Sequence, residues 1–93
     1  MKLKYDVIYK NITKWNPMGI IFYKDKECTI PLNADEYEPE IDEIYDKCDY
    51  VKKGDIKGLA KVIADVFNKW FDRNFSAETC LPVAEKIYSE SRR

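Results

Sequence analysis

The segment from Asp55 to Asn74 repeats apolar side chains at the three- and four-residue spacing of an amphipathic helix. Lysine, aspartate and asparagine side chains occupy the opposite side of the same projection. The apolar positions are Ile56, Leu59, Ala60, Ile63, Val66, Phe67 and Trp70, and the face is widened by Val62 and Phe71. Asp55 is expected to cap this helix. So wide an apolar face predicts a helix that packs on two sides, at the centre of a bundle.

Three further segments have helical spacing. The first covers residues 3–15, with Tyr5, Ile8, Ile12 and Trp15 on one face. The second begins near Pro39, after a predicted capping pair formed by Asp35 and Glu38, and its apolar stripe is Tyr37, Ile41, Ile44, Tyr45 and Cys48. The third follows a Ser76 cap, with the stripe Cys80, Leu81, Ala84, Ile87 and Tyr88. Pro82 lies within it, so the last helix either kinks at Pro82 or begins its regular part there.

These patterns predict an all-α fold: a compact bundle of three to four helices in one domain, residues 1–93. A chain of 93 residues is long enough for a single core and too short for two. The pattern is irregular at about residues 20–34, where we expect a loop or a short hairpin. The predicted core contains Ile8, Ile12, Trp15, Ile41, Ile44, Ile63, Phe67, Trp70 and Ile87.

A proline turn follows the first helix, in the stretch Trp15-Asn16-Pro17-Met18-Gly19. Asn, Pro and Gly occupy the first, second and fourth positions, which type I turns prefer. Trp15 closes the apolar stripe of the helix, so its ring is expected to pack into the core. Trp15, Asn16, Pro17 and Gly19 are therefore interpreted as a structural corner rather than a ligand-binding loop.

The residue types available for chemistry argue against an enzyme. The chain has no histidine, and its three glycines do not form a phosphate-binding loop. The cysteines, Cys28, Cys48 and Cys80, have no paired spacing. We interpret them as reduced thiols and expect Cys48 and Cys80 in the core. No catalytic residue, cofactor or metal site is predicted.

Charge is distributed unevenly along the chain. Residues 27–49 hold nine acidic residues and one lysine, a net charge of −8, whereas the whole chain has a net charge of −1. This segment could attract a basic partner protein, or neighbouring basic helices of the same chain could neutralise it. The predicted partner-binding residues are Glu36, Glu40, Asp42, Glu43 and Asp46.

Two other classes of partner fit the sequence poorly. The basic residues are dispersed among acids and the isoelectric point is about 5.5, which argues against a nucleic-acid partner. The first helix lacks a continuous lysine face opposite a large apolar face, which argues against binding at a membrane surface. No segment has the roughly 20 apolar residues of a membrane span, and the first residues lack the apolar core of a secretory signal. A cytoplasmic location is expected.

Four short motifs resemble the YugE-like family of small uncharacterised bacterial proteins. They are Trp15-Asn16-Pro17-Met18-Gly19, Asp35-Glu36-Tyr37-Glu38, Leu59-Ala60 and Trp70-Phe71. The resemblance implies a compact all-helical domain of unknown function. Similar motifs occur in small immunity-type proteins that neutralise toxins. The connection at residues 24–33 is longer than in the family pattern, and Pro39 within the acidic helix is also a departure from it.

The sequence thus predicts a non-catalytic protein-binding module that docks a basic partner through its acidic helix, with an immunity-type inhibitor of a toxin as one form of it. The alternative is a structural or regulatory homodimer without an electrostatic partner surface, in which spare tyrosines are buried between subunits.

Overall fold

The computed structural model describes residues 1–20, 33 and 35–92 of the chain. These residues form four α-helices and one short 3₁₀ helix, with no β-strand among them. The helices are α1 (Tyr5–Trp15), α2 (Glu38–Lys47), α3 (Ile56–Phe71) and α4 (Ala77–Ser91), and the 3₁₀ helix, Cys48–Tyr50, follows α2 directly. The all-α prediction is confirmed. The loop or hairpin predicted at about residues 20–34 lies almost entirely outside the described residues.

Each helix packs most extensively against two others, so the main contacts among the four form a closed cycle. The most extensive contact joins α3 to α4, and α1 packs against both α4 and α2, while α2 also packs against α3. The fully buried side chains between them include Ile8, Ile12, Tyr37, Ile41, Ile44, Leu59, Ile63, Val66, Phe67 and Ile87. Cys48 and Cys80 are also buried, as predicted, and both are free thiols. Cys28 lies outside the described residues.

Side-chain caps fix where α3 and α4 begin. The Asp55 carboxylate accepts a hydrogen bond from the Gly58 N–H at 3.0 Å, and the Ser76 hydroxyl accepts one from the Thr79 N–H at 3.1 Å. Each cap satisfies a backbone donor that the first turn leaves without a partner. Helix α4 runs without interruption through Pro82, so the expectation that its regular part begins at Pro82 is wrong.

The start of α2 differs from the prediction. Asp35 and Glu38 do not form a side-chain capping pair: α2 begins at Glu38, its N-cap is Tyr37, and no side chain caps it. The Asp35 carbonyl instead accepts from the Glu38 N–H at 3.1 Å, within a backbone turn. The Tyr37 ring is buried in the core, and its side chain does not cap α2. Backbone hydrogen bonds hold the first turn of α2 instead.

An aromatic cluster fills the end of the bundle at which α1 stops. The Phe67 ring of α3 is at its centre, with Trp15 and Tyr37 edge-on to it, each at a centroid distance of 5.6 Å. Phe71 stacks on Phe67 at 5.7 Å, and Phe75 lies 6.1 Å from Trp15. Edge-to-face and offset arrangements match the charge distribution of aromatic rings. The cluster joins α1, α3 and the residues that precede α2 and α4.

Two tryptophans are less buried than the predicted core requires. Trp15 is only partly buried, although it does pack on the core. Trp70 is 49% exposed, so its assignment to the core is wrong. Phe71 takes the inward position in the last turn of α3, where it stacks on Phe67 and contacts Tyr37. Trp70 therefore lies at the edge of the bundle.

The chain turns sharply after Trp15. Asn16 has the left-handed conformation, with φ +48°, and its N–H donates to the Ile12 carbonyl, which ends α1. The Gly19 N–H donates to the Asn16 carbonyl at 3.0 Å and closes the turn, and Gly19 has a φ of +67°, which favours glycine. These contacts place a corner of the fold at Asn16, Pro17 and Gly19.

The buried Tyr37 hydroxyl holds this corner. It donates a hydrogen bond to the Asn16 side-chain oxygen at 2.7 Å and accepts one from the Met18 N–H at 3.0 Å. Burial is the largest influence on this phenol and raises its pKa, so the hydroxyl stays protonated at neutral pH. One hydroxyl thus connects the exit of α1 to the start of α2.

Substitution of Tyr37 by phenylalanine tests this connection. Tyr37→Phe leaves the Met18 N–H and the Asn16 side-chain oxygen without this partner, and such a loss costs about 1 to 3 kcal/mol. We expect the free energy of unfolding, measured by urea denaturation, to fall by that amount. Tyr50→Phe is the matched control, because Tyr50 is 91% exposed and should give no change. Equal stability of the two variants would contradict the role of Tyr37.

Candidate protein-docking site

Four exposed acids follow one another along the solvent side of α2 and the 3₁₀ helix after it. Glu38, Asp42, Asp46 and Asp49 are spaced at four, four and three residues, which places them on one face. All four are exposed, and none forms an ion pair with a described residue. We refer to these four residues as the acidic stripe. Glu36 is exposed in the turn before α2.

The sequence-predicted site residues fall into two groups. Asp42 and Asp46 belong to the acidic stripe, and Glu36 is exposed nearby. Glu40 and Glu43 instead lie on the flank of α2 that faces into the protein. Glu38 and Asp49 were missed as site residues, although their spacing from Asp42 and Asp46 could have revealed them.

Asp42 has an additional contact within the protein. Its carboxylate accepts a hydrogen bond from the Tyr5 hydroxyl of α1 at 2.5 Å. This hydrogen bond is the main reason that the pKa of Tyr5 is raised. The Tyr5 ring also meets the Tyr45 ring edge-on at 5.4 Å. Tyr45, predicted on the core stripe, is 42% exposed, because it covers Tyr5 at the rim of the α1–α2 contact.

Glu43 is neutralised within the protein. One carboxylate oxygen lies 2.5 Å from the Lys69 ammonium of α3, and the other lies 2.8 Å from the Lys47 ammonium. The Trp70 indole N–H donates to Glu43 at 3.2 Å. The two lysines lower the pKa of Glu43 to about 2, and Trp70 contributes further in the same direction. Glu43 therefore ties α2 to α3 and is not free to pair with a partner.

Glu40 is buried rather than exposed, contrary to its predicted place on the outer side of α2. The residue is 5% exposed, and one carboxylate oxygen has no hydrogen-bond partner in the part of the chain that the structure describes. Burial is the main cause of a raised pKa, and the charges of Glu36 and Glu43 act in the same direction. Glu40 precedes the buried residues Ile41 and Ile44 by one and four positions. Helical spacing therefore places it at the edge of the buried face of α2. It cannot meet a partner directly in this structure.

Trp70 presents an aromatic surface beside this acidic helix. Its indole N–H is held by Glu43, and the Lys69 ammonium lies 5.7 Å from the centre of its ring. These contacts restrain the ring on the outside of the protein. Large aromatic side chains are enriched among the residues that contribute most to protein–protein binding. The sequence pattern did not identify this residue as a site residue because helical spacing places it on the apolar stripe.

Two further features are absent from the described residues. No group of three or more cysteine or acidic side chains there could hold a metal ion. No helix there is long and apolar enough to span a membrane.

No protein-family model matches this chain, and no curated protein or solved structure is significantly similar to it. The resemblance to the YugE-like family therefore stays a prediction.

The opposite environments of Glu43 and Glu40 predict opposite pH dependences, starting with Glu43. Its pKa is lowered in the folded state, so the stability it contributes is present above the unfolded pKa of about 4.5 and is lost as the pH falls towards about 2. We expect Glu43→Gln to lower the free energy of unfolding by about 1 kcal/mol at pH 7, as for a small ion-pair network near the surface. The loss should shrink below pH 4.5. Asp46→Asn, which removes an unpaired exposed acid, is the control and should change little. Urea denaturation between pH 3 and pH 7 measures both.

Glu40 gives the second prediction. Its folded pKa is raised, so the favourable protonated state is fully present below the unfolded pKa of about 4.5 and is lost as the pH rises through the folded pKa. Glu40→Gln removes the buried charge and should stabilise the protein at pH 7 by about 1 kcal/mol. The gain should disappear near pH 4. A variant that is less stable than the wild type at pH 7 would show that the Glu40 charge is satisfied in the folded protein.

Proposed function

We propose that this chain is a non-catalytic protein-binding module that docks a basic partner protein through the acidic stripe and Trp70. The observation that carries the proposal is the exposed indole of Trp70, restrained next to a helix whose outer acids have no ion-pair partners among the described residues. An exposed aromatic anchor and unpaired charge of one sign are the two features a docking surface combines.

The acidic stripe supplies attraction and orientation. Charges at the rim of an interface mainly raise the association rate and select the partner, and their effect weakens as salt is added. The acidic stripe provides four such exposed charges on one face, at Glu38, Asp42, Asp46 and Asp49. A partner with a complementary row of lysines or arginines would be drawn to this face rather than to the rest of the protein.

Trp70 supplies contact energy at the flank of the stripe. Glu43 and Lys69 already restrain the Trp70 ring. The ring therefore loses little conformational freedom when a partner covers it. The ring would fill an apolar recess between the basic side chains of the partner. A toxin inhibited by this module is one partner of this kind, in line with the resemblance to small immunity-type proteins.

Capture from the lysate of the source cells tests the proposal. The tagged protein should retain a basic protein at low salt and release it at high salt. The variant Asp46→Lys/Asp49→Lys reverses two stripe charges that no described residue bonds, and we expect it to weaken binding of that protein by about tenfold or more. Trp70→Ala should weaken it by a similar or larger factor.

A matched control makes the result specific to the stripe. The variant Asp65→Lys/Glu85→Lys makes the same change in net charge at exposed sites on α3 and α4, and it should keep the partner. Equal retention by the stripe variant and this control would overturn the docking face. Circular dichroism of each variant establishes that loss of binding is not loss of folding.

The homodimer stays the second candidate, because exposed aromatic side chains favour it. Tyr50 is 91% exposed and Tyr45 is 42% exposed, and a second copy could cover both. Sedimentation equilibrium separates the two candidates. A concentration-independent monomer contradicts the homodimer, whereas a stable dimer that Tyr50→Ser dissociates would favour it over the docking module.

A further inference from the structure

An open groove of about 220 Å³ lies between α1 and α4. Its lining comes from these two helices alone, so it is separate from the acidic stripe of α2. The residues that line it are Asn11, Lys14, Trp15, Pro82, Val83 and Lys86. Neither the predicted docking face nor the core accounts for this combination of an indole, a proline and two lysines.

The inner surface of the groove is apolar. Trp15 packs edge-on to Phe67 and against Phe75, yet it stays only partly buried, and it contributes to the groove lining. Val83 is buried beside it. An indole held by other rings offers a flat surface on which a planar ligand can stack. The groove therefore has a preformed aromatic surface.

Pro82 adds an unusual residue to this lining. It is the sixth residue of α4, where proline removes the hydrogen bond to the Glu78 carbonyl and destabilises the helix relative to alanine. Local rules of helix formation tend to be broken at functional sites. Pro82 is exposed and lines the groove, so it adds a rigid apolar surface there.

Positive charge is concentrated at the rim. Lys14 and Lys86 are exposed, and neither forms an ion pair with a described residue. The nearby acid Glu90 is already engaged: the Lys10 ammonium lies 2.8 Å from it, and the Asn11 side chain donates to it at 3.1 Å. Lys86 attracts Glu90 more weakly from outside ion-pair distance. Two cations are therefore left to meet a ligand.

We propose that this groove binds a small organic anion with a planar apolar body and one carboxylate. The body would stack on Trp15 and contact Pro82 and Val83, and the carboxylate would lie between Lys14 and Lys86. Pockets for drug-sized ligands and cofactors are generally about 300 to 1,000 Å³. The smaller volume here suits one aromatic ring system rather than a nucleotide.

Nuclear magnetic resonance of the ¹⁵N-labelled protein tests this site with 1-naphthoate as the probe. The chain has two tryptophans, so its spectrum contains two indole N–H signals, and Trp70→Phe assigns them. Titration with 1-naphthoate should shift the Trp15 signal saturably and leave the Trp70 signal in place. The neutral analogue 1-naphthalenemethanol tests the need for charge, and acetate tests the need for the apolar body; both should bind at least about fivefold more weakly.

The charge contribution is tested by variants. Lys14→Met/Lys86→Met keeps the apolar parts of both side chains and should weaken 1-naphthoate binding by about fivefold or more, as expected for two exposed ion pairs. Lys57→Met/Lys61→Met removes two exposed lysines from α3 and should leave binding unchanged. The absence of a saturable Trp15 shift, or equal affinity in the two double variants, would overturn the proposed site.

Discussion

The rest of the arrangement depends on the hydrogen bonds of the Tyr37 hydroxyl. It is buried between the exit of α1 and the start of α2, and it bonds both the Asn16 side chain and the Met18 backbone. Its ring packs on Phe67 and Phe71 of α3. The same side chain therefore sets the turn after α1, the position of α2 and the contact of both with α3, including the edge at which Trp70 is left exposed.

The acidic helix divides its charge between the inside and the outside of the protein. Glu43 is neutralised by Lys47 and Lys69, and it restrains Trp70 by accepting a hydrogen bond from the indole N–H. The acidic stripe has no such neutralisation among the described residues. The sequence left internal neutralisation and attraction of a partner as alternatives. Internal neutralisation is found at Glu43, and a partner is proposed for the acidic stripe. The internal pairs position the helix, and the unpaired acids are left for the proposed docking.

The near-zero net charge conceals two surfaces of opposite sign on different helices. The acidic stripe runs along α2 and the 3₁₀ helix after it, and the proposed anion groove belongs to α1 and α4. Each has a tryptophan beside it, Trp70 at the stripe and Trp15 in the groove. Because different helices supply the two surfaces, substitutions at one should leave the other intact, and their proposed ligands can be tested separately.

The sequence by itself determined the four helices, the caps at Asp55 and Ser76 and most of the core, because helical spacing and capping are local properties of a chain. It also determined that acidic residues are concentrated in residues 27–49. Only the tertiary structure decided which of two neighbouring aromatic residues points inward: Phe71 packs against the core, and Trp70 is half exposed. It likewise decided that Glu40 is buried and that Glu43 pairs with Lys69 of α3. Spacing along one helix fixes a face, but the neighbours that cover the edges of that face come from distant parts of the chain.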